Sequence, residues 1–228
     1  MLKKDNWLSK QIRYPAYNFD TGYLTKYNLS NIDVSKYFIT IKSKKKINKK
    51  FLKKNKIIFI EKNLTFVKKI VFTGKKPKKY NNIRFAKKED KKSVISIAKR
   101  AFYQSRFFKD KNIKKKIAKK IKKNWVLNFF LKKRGNYLIV CDIKKKITGF
   151  LLIIKNKNNF IIDLIAVKKN YQKLGYASQM LNFFIGTQKR KNFFILASTQ
   201  QTNKQSIIFY KRNKFKLKFS KYVYHLKN

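Results

Sequence analysis

Apolar and polar positions divide the second half of the chain into strands and turns. Apolar runs at 136–141, 147–154 and 160–167 predict three successive strands joined by polar turns, and residues 193–197 predict another. These runs are too apolar to face water on either side, which predicts that helices cover both faces of their sheet. The pattern therefore indicates an α/β fold.

Apolar stripes at helical spacing mark the helices of that fold. Stripes run from Val94 to Phe102, from Ile113 to Phe129 and from Ala177 to Ile185. The second stripe has lysines on its opposite face, so that helix could lie on a membrane surface, although packing on the sheet is the favoured interpretation. Residues 215–219 and 222–226 predict a closing strand pair.

The first 80 residues are less regular and predict a small N-terminal α/β region. Strands are expected at 37–41, 57–60 and 64–67, with a short helix or loop at 47–55. The lysine-rich stretch around Pro77 reads as a linker, because proline extends neither a central strand nor a helix. The predicted domains are therefore 1–80 and 81–228.

The charge of the chain admits two interpretations. It contains 61 basic and 9 acidic residues, a formal net charge of +52. Such an excess is typical of proteins that bind nucleic acid or anionic membranes. However, the lysines are spread over nearly every segment, and Lys, Asn, Ile and Phe are enriched together, which favours compositional drift. No specific nucleic-acid partner is expected.

Several kinds of site and location are not expected from the composition. The single cysteine, Cys141, allows no internal disulfide and no cysteine-ligand zinc site, and it reads as a small buried hydrophobe. The only histidine, His225, is assigned a structural role, and no metal is expected. Neither a signal peptide nor a membrane span is predicted, so the expected location is cytoplasmic.

The most informative stretch runs from Asp163 to Ser178, where a strand meets a helix. A helix start leaves backbone N–H groups without partners and carries the positive pole of the helix dipole, which suits a phosphate. Gly175 has no side chain to keep a ligand from the backbone, and Ala177 adds only a methyl group. The turn therefore predicts a phosphate-binding site.

The spacing of Gln172, Gly175 and Ala177 resembles the acetyl-CoA-binding motif of the Gcn5-related N-acetyltransferase (GNAT) superfamily. Asn203 and Tyr210 follow, seven positions apart as in that superfamily. The resemblance covers roughly the last 140 residues. It implies a GNAT fold with a mixed central sheet, acetyl-CoA as co-substrate and acetyl transfer to a primary amine.

A narrower resemblance concerns the acceptor. Residues 101–107, Trp125, Thr199-Gln200 and Tyr222-Val223-Tyr224 look like the TDP-fucosamine acetyltransferase branch. This similarity implies that the acceptor is the amino sugar of a nucleoside-diphosphate sugar. Two alternatives stay open: a protein acetyltransferase acting on N-termini or lysines, and a non-catalytic basic module that binds RNA or anionic lipid. A homodimer is also left open.

The superfamily resemblance assigns roles to individual residues. The residues implied to bind the cofactor are Ile165, Ala166, Val167, Gln172, Lys173, Leu174, Gly175, Tyr176, Ala177, Ser178 and Asn203. The predicted catalytic residues are Tyr210, which would protonate the leaving thiolate, and Asp163, a candidate base that could equally fix a strand end. Asn203 could also serve only as a helix N-cap. Lys214 stands where the family usually has glycine, so a positive φ there would be strained.

Overall fold

The computed structural model describes residues 2–21, 36–71, 79–188 and 192–226. In these ranges the chain forms ten strands and seven helices. The strands are β1 (Leu2–Lys4), β2 (Ala16–Thr21), β3 (Phe38–Ser43), β4 (Ile57–Val71), β5 (Ile83–Phe85), β6 (Tyr137–Ile143), β7 (Lys146–Asn156), β8 (Asn159–Val167), β9 (Asn192–Gln200) and β10 (Lys216–Leu226). The helices are α1 (Asn6–Ile12), α2 (Lys49–Lys54), α3 (Lys91–Ala101), α4 (Arg106–Lys109), α5 (Lys115–Phe130), α6 (Tyr176–Gly186) and α7 (Lys204–Arg212).

All ten strands belong to one mixed sheet. Their order is β1-β2-β3-β10-β4-β9-β8-β7-β6-β5. Neighbouring strands are antiparallel except for the parallel pairs β2 with β3 and β8 with β9. Strand β4 lies between β10 and β9, so strands from both ends of the chain share hydrogen-bonded ladders. The boundary predicted near residue 80 adjoins residues 72–78, which lie outside the described ranges, and it remains a prediction.

Helices cover both faces of this sheet, as predicted. On one face, α6 and α7 bury Met180, Phe184 and Tyr210 against the sheet. On the opposite face, α3 and α5 bury Ile97 and Val126 against β6, β7 and β8. Each buried large apolar side chain contributes about 1.5–3 kcal/mol. The predicted fold class, a mixed sheet covered on both faces, is confirmed.

Helices α1 and α4 join α5 over the strands near the N-terminus. Leu8 of α1 and Phe107 of α4 pack with Ile121 of α5 against Phe38 of β3. Helix α1 begins at the N-cap Asp5, whose side chain accepts a hydrogen bond from the backbone N–H of Leu8. The small N-terminal elements thus cover the sheet face on which α3 and α5 lie.

Two details of the predicted strands are wrong. The candidates at 57–60 and 64–67 form the single strand β4, and the expected pair at 215–219 and 222–226 is the single strand β10. Neither interruption contains a turn-forming glycine or proline. The polar residues between the apolar runs instead pair across the sheet, as Asn63 does with Gln200, and register shifts absorb the mismatch between β4 and β10.

Helix α5 packs on the sheet and on α3, which confirms the favoured interpretation of its stripe. Its buried positions nevertheless include a lysine, Lys122. The ammonium nitrogen of Lys122 lies 4.2 Å from the ring centre of Trp125 and 5.1 Å from that of Phe102. Burial lowers the pKa of Lys122 to about 8. Among the described residues, no helix is long and apolar enough to cross a membrane.

Candidate active site

An opening between β8 and β9 is the main irregularity of the sheet. The two strands pair only through Phe160–Ile162 and Ile195–Ala197. Beyond these residues β8 continues to Val167 along β7, while β9 continues to Gln200 along β4. One edge of β8 therefore has no strand partner among the described residues. The predicted pantetheine-binding residues, Ile165 to Val167, lie on this open edge.

Asp163 occupies the point where the two strands separate. The register of β7 with β8 shifts between Ile162 and Leu164, so Asp163 is the extra residue of a β-bulge. Its carboxylate accepts hydrogen bonds from the Trp125 indole nitrogen at 2.8 Å and from two Arg134 nitrogens at 2.7 Å each. Both oxygens of the Asp163 carboxylate therefore have protein partners.

The predicted phosphate turn leads from the open edge into α6. Gly175 is the N-cap of α6 and has a φ of 81°, and Lys173 also has a positive φ of 65°. The backbone N–H groups from Lys173 to Ser178 have no acceptor among the described residues. The turn therefore presents consecutive free donors at the positive end of a helix dipole.

The reason for glycine at position 175 is its backbone conformation. A Cβ atom built there would meet only Nε2 of Gln179, at 3.8 Å, so space alone would admit alanine. The left-handed φ is what disfavours any other residue. The missing side chain, which leaves the backbone open to a ligand, is therefore only part of the reason for glycine at this position.

The side chain of Gln172 forms hydrogen bonds with both the end of β8 and α7. Its side-chain nitrogen donates to the backbone carbonyl of Val167 at 2.9 Å, and its side-chain oxygen accepts from Gln205 at 2.9 Å. Both polar atoms of the side chain thus have protein partners. This arrangement orients the loop between β8 and α6, and the predicted contact of Gln172 with a cofactor remains a prediction.

Asn203 immediately precedes α7, and Tyr210 lies near the end of this helix. The side chain of Asn203 accepts a hydrogen bond of 3.2 Å from the N–H of Ser206, so the residue is an N-cap. Tyr210 is buried, with ring centres 5.5 Å from Phe66 and 5.4 Å from Phe215. Burial raises the pKa of the Tyr210 hydroxyl well above its ordinary value, so the phenol keeps its proton.

Glu61 is a candidate that the sequence argument missed. It lies on β4 with 5% of its surface exposed, near Gln200 at the end of β9. Nζ of Lys109 lies 3.6 Å from one of its carboxylate oxygens. Burial outweighs the neighbouring cations and raises the pKa of Glu61. The one available signal was its rarity, because the chain has only 9 acidic residues.

His225 and Cys141 are both buried. Nδ1 of His225 lies 2.6 Å from an oxygen of Asp110, and burial lowers the pKa of His225 to about 4. Burial also raises the pKa of the Cys141 thiol, as expected for a buried hydrophobe. Within the described ranges, no cluster of three His, Cys, Asp or Glu side chains could hold a metal ion.

Comparison with known proteins agrees with this geometry. Residues 134–217, which contain β8, the phosphate turn, α6, β9 and α7, match the family model described as acetyltransferase (GNAT) domain. This part of the chain is therefore similar to a GNAT acetyltransferase domain. The match agrees with the predicted superfamily resemblance and supports the predicted enzyme class over these residues. A search of curated proteins gave no match.

Solved structures share the fold at low sequence identity. A conserved protein of unknown function from Staphylococcus epidermidis is 14% identical, with a TM-score of 0.63 over 94% of this chain and 84% of its own. A GCN5-related N-acetyltransferase from Sphaerobacter thermophilus is 10% identical, with a TM-score of 0.51 over 82% of this chain and 59% of its own. Saccharomyces cerevisiae N-myristoyltransferase, solved with myristoyl-CoA, is 14% identical, with a TM-score of 0.52 over 94% of this chain and 61% of its own.

Proposed function

We propose that the protein transfers an acetyl group from acetyl-CoA to a primary amine. The observation that carries this proposal is the continuous path formed by the open edge of β8 and the free N–H groups of the phosphate turn. In the reaction, the amine nitrogen forms a bond to the acetyl carbon while the carbon–sulfur bond breaks. The nitrogen loses a proton and the departing thiolate gains one.

The open path suits the chemistry of a coenzyme A thioester. Backbone groups of Ile165 to Val167 would pair with the amide groups of the pantetheine arm, as an added strand does. The N–H groups of Lys173 to Ser178 would bind the pyrophosphate, and the exposed ammonium of Lys173 would add charge. The yeast relative, which shares the fold, binds an acyl-CoA. Asn203 would contact the pantetheine near its thiol end while it caps α7.

Tyr210 is the proposed proton donor to the thiolate. A phenol that stays protonated at neutral pH can donate as negative charge develops on sulfur. Its burial among Phe66 and Phe215 holds the ring in one orientation.

Two carboxylates compete for the role of proton acceptor. Asp163 was the predicted one, but both of its oxygens already accept hydrogen bonds from Trp125 and Arg134, so they are occupied by protein donors. Glu61 has a raised pKa and is therefore the stronger base. We favour Glu61 for proton removal and Asp163 for holding Trp125 and Arg134 in place.

The acceptor we propose is the amino sugar of a nucleoside-diphosphate sugar, on the strength of the resemblance to the TDP-fucosamine branch. Such a substrate is a cytoplasmic anion, and a chain of net charge +52 attracts it. A protein acceptor and a non-catalytic RNA-binding or lipid-binding role are the competing functions. The observation that supports these competing functions is the same net positive charge of the chain.

Release of coenzyme A thiol tests this function. The purified chain is given acetyl-CoA with a nucleoside-diphosphate amino sugar, the same amino sugar without its nucleotide, or a lysine-containing peptide. We expect the fastest release with the nucleotide-linked sugar and no release above background without an amine. Faster release with the peptide would assign a protein acceptor. Absence of release with every amine, together with salt-resistant retention of a defined RNA, would assign a binding module.

A further inference from the structure

A pocket of about 330 Å³ lies between the N-terminal elements, α4 and the end of α5. Its volume is within the range of small-molecule sites. It is on the sheet face that carries α5, opposite the face covered by α6. Trp125 and Arg134 form part of its wall, and both are held by Asp163 at the point where β8 and β9 separate. The pocket therefore adjoins the proposed reaction centre from the side opposite α6.

The pocket wall carries more positive than negative charge. It includes Lys42, Arg106, Lys133 and Arg134, and its one acidic residue is Asp5. The carboxylate of Asp5 already accepts from the N–H of Leu8 at 2.9 Å and from the side chain of Asn18 at 3.0 Å. Asp5 is one carboxylate among four cations, and even with the ion pair between Arg134 and Asp163 the wall keeps a net positive charge.

Arg106 has a donor that the protein does not satisfy. Its Nη1 atom is buried and has no hydrogen-bond partner within the described residues. The guanidinium lies 4.6 Å from the ring centre of Phe107, which restrains it. A buried charged donor without an acceptor costs more than a neutral one. Glu61 and Asp5 attract the guanidinium from within the protein, and an anion in the pocket would add a further partner. Burial lowers the pKa of Arg106, but an arginine of this kind stays charged.

Two indole rings supply the apolar part of the pocket. The ring centres of Trp7 and Trp125 are 5.4 Å apart, at an angle of 69°. The guanidinium of Arg134 lies 4.8 Å from the ring centre of Trp125. Flat apolar surface beside cations suits a ligand with a ring or a carbon chain next to an acidic group.

We propose that this pocket binds the acidic group, phosphate or carboxylate, of the amine acceptor. Arg106 donates to the anion, and Trp7 and Trp125 contact the part of the acceptor between the anion and the amine. That the ligand is the acceptor rests on the proposed acetyl transfer, whereas anion binding in the pocket does not. The amine thus approaches the thioester from the face of the sheet that α5 covers.

The two tryptophans of the chain both line this pocket, so a ligand that binds there should change their emission when they are excited selectively over tyrosine. The wild type is titrated at physiological ionic strength with inorganic pyrophosphate and, separately, with acetate and citrate. We expect a saturable change in emission. The anion that binds with the higher affinity, pyrophosphate or a carboxylate, shows whether the ligand group is a phosphate or a carboxylate. Arg106→Gln should weaken the tighter anion by about 10-fold or more, the usual worth of a hydrogen bond to a charged group. Arg106→Lys should weaken it less, because it keeps the charge.

Matched variants separate this site from general charge effects and from the phosphate turn. Arg100→Gln removes an exposed arginine outside the pocket and should leave the titration unchanged. Gly175→Glu, which should block the phosphate turn, should leave the fluorescence response to pyrophosphate intact. Circular dichroism checks that each variant is folded. Absence of a saturable response in the wild type, or equal affinity in folded Arg106→Gln, overturns the proposal.

A saturable, Arg106-dependent response without any acetyl transfer would keep the anion site and reject the proposed reaction. Acetyl transfer that shows no preference for anionic acceptors, and no change of acceptor KM in Arg106→Gln, would keep the reaction and reject the acceptor as the ligand of this pocket. The two proposals can therefore fail independently.

Discussion

The indole N–H of Trp125 donates a hydrogen bond of 2.8 Å to the carboxylate of Asp163, and Arg134 donates two more to the same group. One carboxylate on the central strand thus fixes two side chains from α5 and the loop after it. This contact links the point where β8 and β9 separate to the pocket on the α5 face of the sheet.

Asp163→Asn should lower the free energy of unfolding by about 1–3 kcal/mol, because an amide cannot replace a carboxylate that pairs with both Arg134 nitrogens. If the residue positions Trp125 and Arg134, acceptor KM should rise while kcat falls by less than the roughly 10² of a lost general base. Urea unfolding and steady-state kinetics measure both effects.

Asp142→Asn is the matched control for this change, since Arg84 keeps its second partner, Asp90, at 2.7 Å. Asp142→Asn should lower the free energy of unfolding by less than Asp163→Asn does. A fall in kcat of Asp163→Asn by about 10² or more, with an unchanged KM, would instead restore Asp163 as the base.

The phosphate turn predicts two separable effects at Gly175. Gly175→Gln should destabilise the fold by roughly 1–2 kcal/mol, because a φ of 81° is unfavourable for any residue with a Cβ. Gly175→Glu shares that backbone cost but also places a carboxylate beside the expected pyrophosphate. We therefore expect acetyl-CoA affinity, measured by calorimetry, to be much weaker in Gly175→Glu than in Gly175→Gln. Equal affinities in the two variants would remove the pyrophosphate from this turn.

Tyr210→Phe should lower kcat by roughly 10²–10⁴, the usual worth of general acid catalysis. The ring and its contacts with Phe66 and Phe215 remain, so stability and acetyl-CoA affinity should change little. Tyr222→Phe on β10 is the control and should keep full activity. A Tyr210→Phe enzyme as fast as the wild type would leave Tyr210 with a packing role only.

Lys214 has a φ of 61°, as expected for the turn in which the family usually has glycine. Lys214→Gly should therefore stabilise the protein by about 0.5–1 kcal/mol, the relief of left-handed strain less the greater freedom of glycine in the unfolded chain. Lys211→Gly, three residues earlier within α7, should instead destabilise it by about 1 kcal/mol. Thermal or urea unfolding of the wild type and the two variants measures these changes. A loss of stability in Lys214→Gly would contradict the presence of strain at Lys214.

The lowered pKa of His225 should make the stability of the folded chain depend on pH. The folded chain protonates this imidazole near pH 4, against an ordinary value of 6.5, because burial disfavours the charged ring. Between these values the unfolded chain binds more protons, so stability falls as pH decreases. The contribution of His225 to the free energy of unfolding is complete above about pH 6.5 and is lost progressively towards pH 4.

His225→Gln removes the only histidine of the chain and its hydrogen bond to Asp110. The variant should be less stable than the wild type at pH 7, but its urea midpoint should change less between pH 7 and pH 5. An equal change in both proteins would show that His225 does not titrate differently on folding.

Local sequence pattern was sufficient for most of the elements and for the turn at Gly175. Strand and helix periodicities depend on neighbouring residues, so β6 to β9 and the helices α3, α5 and α6 were predicted near their observed positions. The unpartnered N–H groups after β8 follow from a helix start, which is also a local feature. Lys214 could be predicted for the same reason, because its φ is determined by the short turn that ends α7.

Only the tertiary structure decided which distant residues meet. No periodicity in 57–71 indicates that β4 lies between β9 and β10, since pairing depends on residues more than 100 positions away. For the same reason, the sequence could not show that Glu61 lies beside Gln200, or that the unsatisfied Arg106 lies near the two tryptophans. Lys122 is buried because aromatic rings from α5 and the end of α3 cover its ammonium group, a three-dimensional arrangement that hydrophobic spacing does not encode.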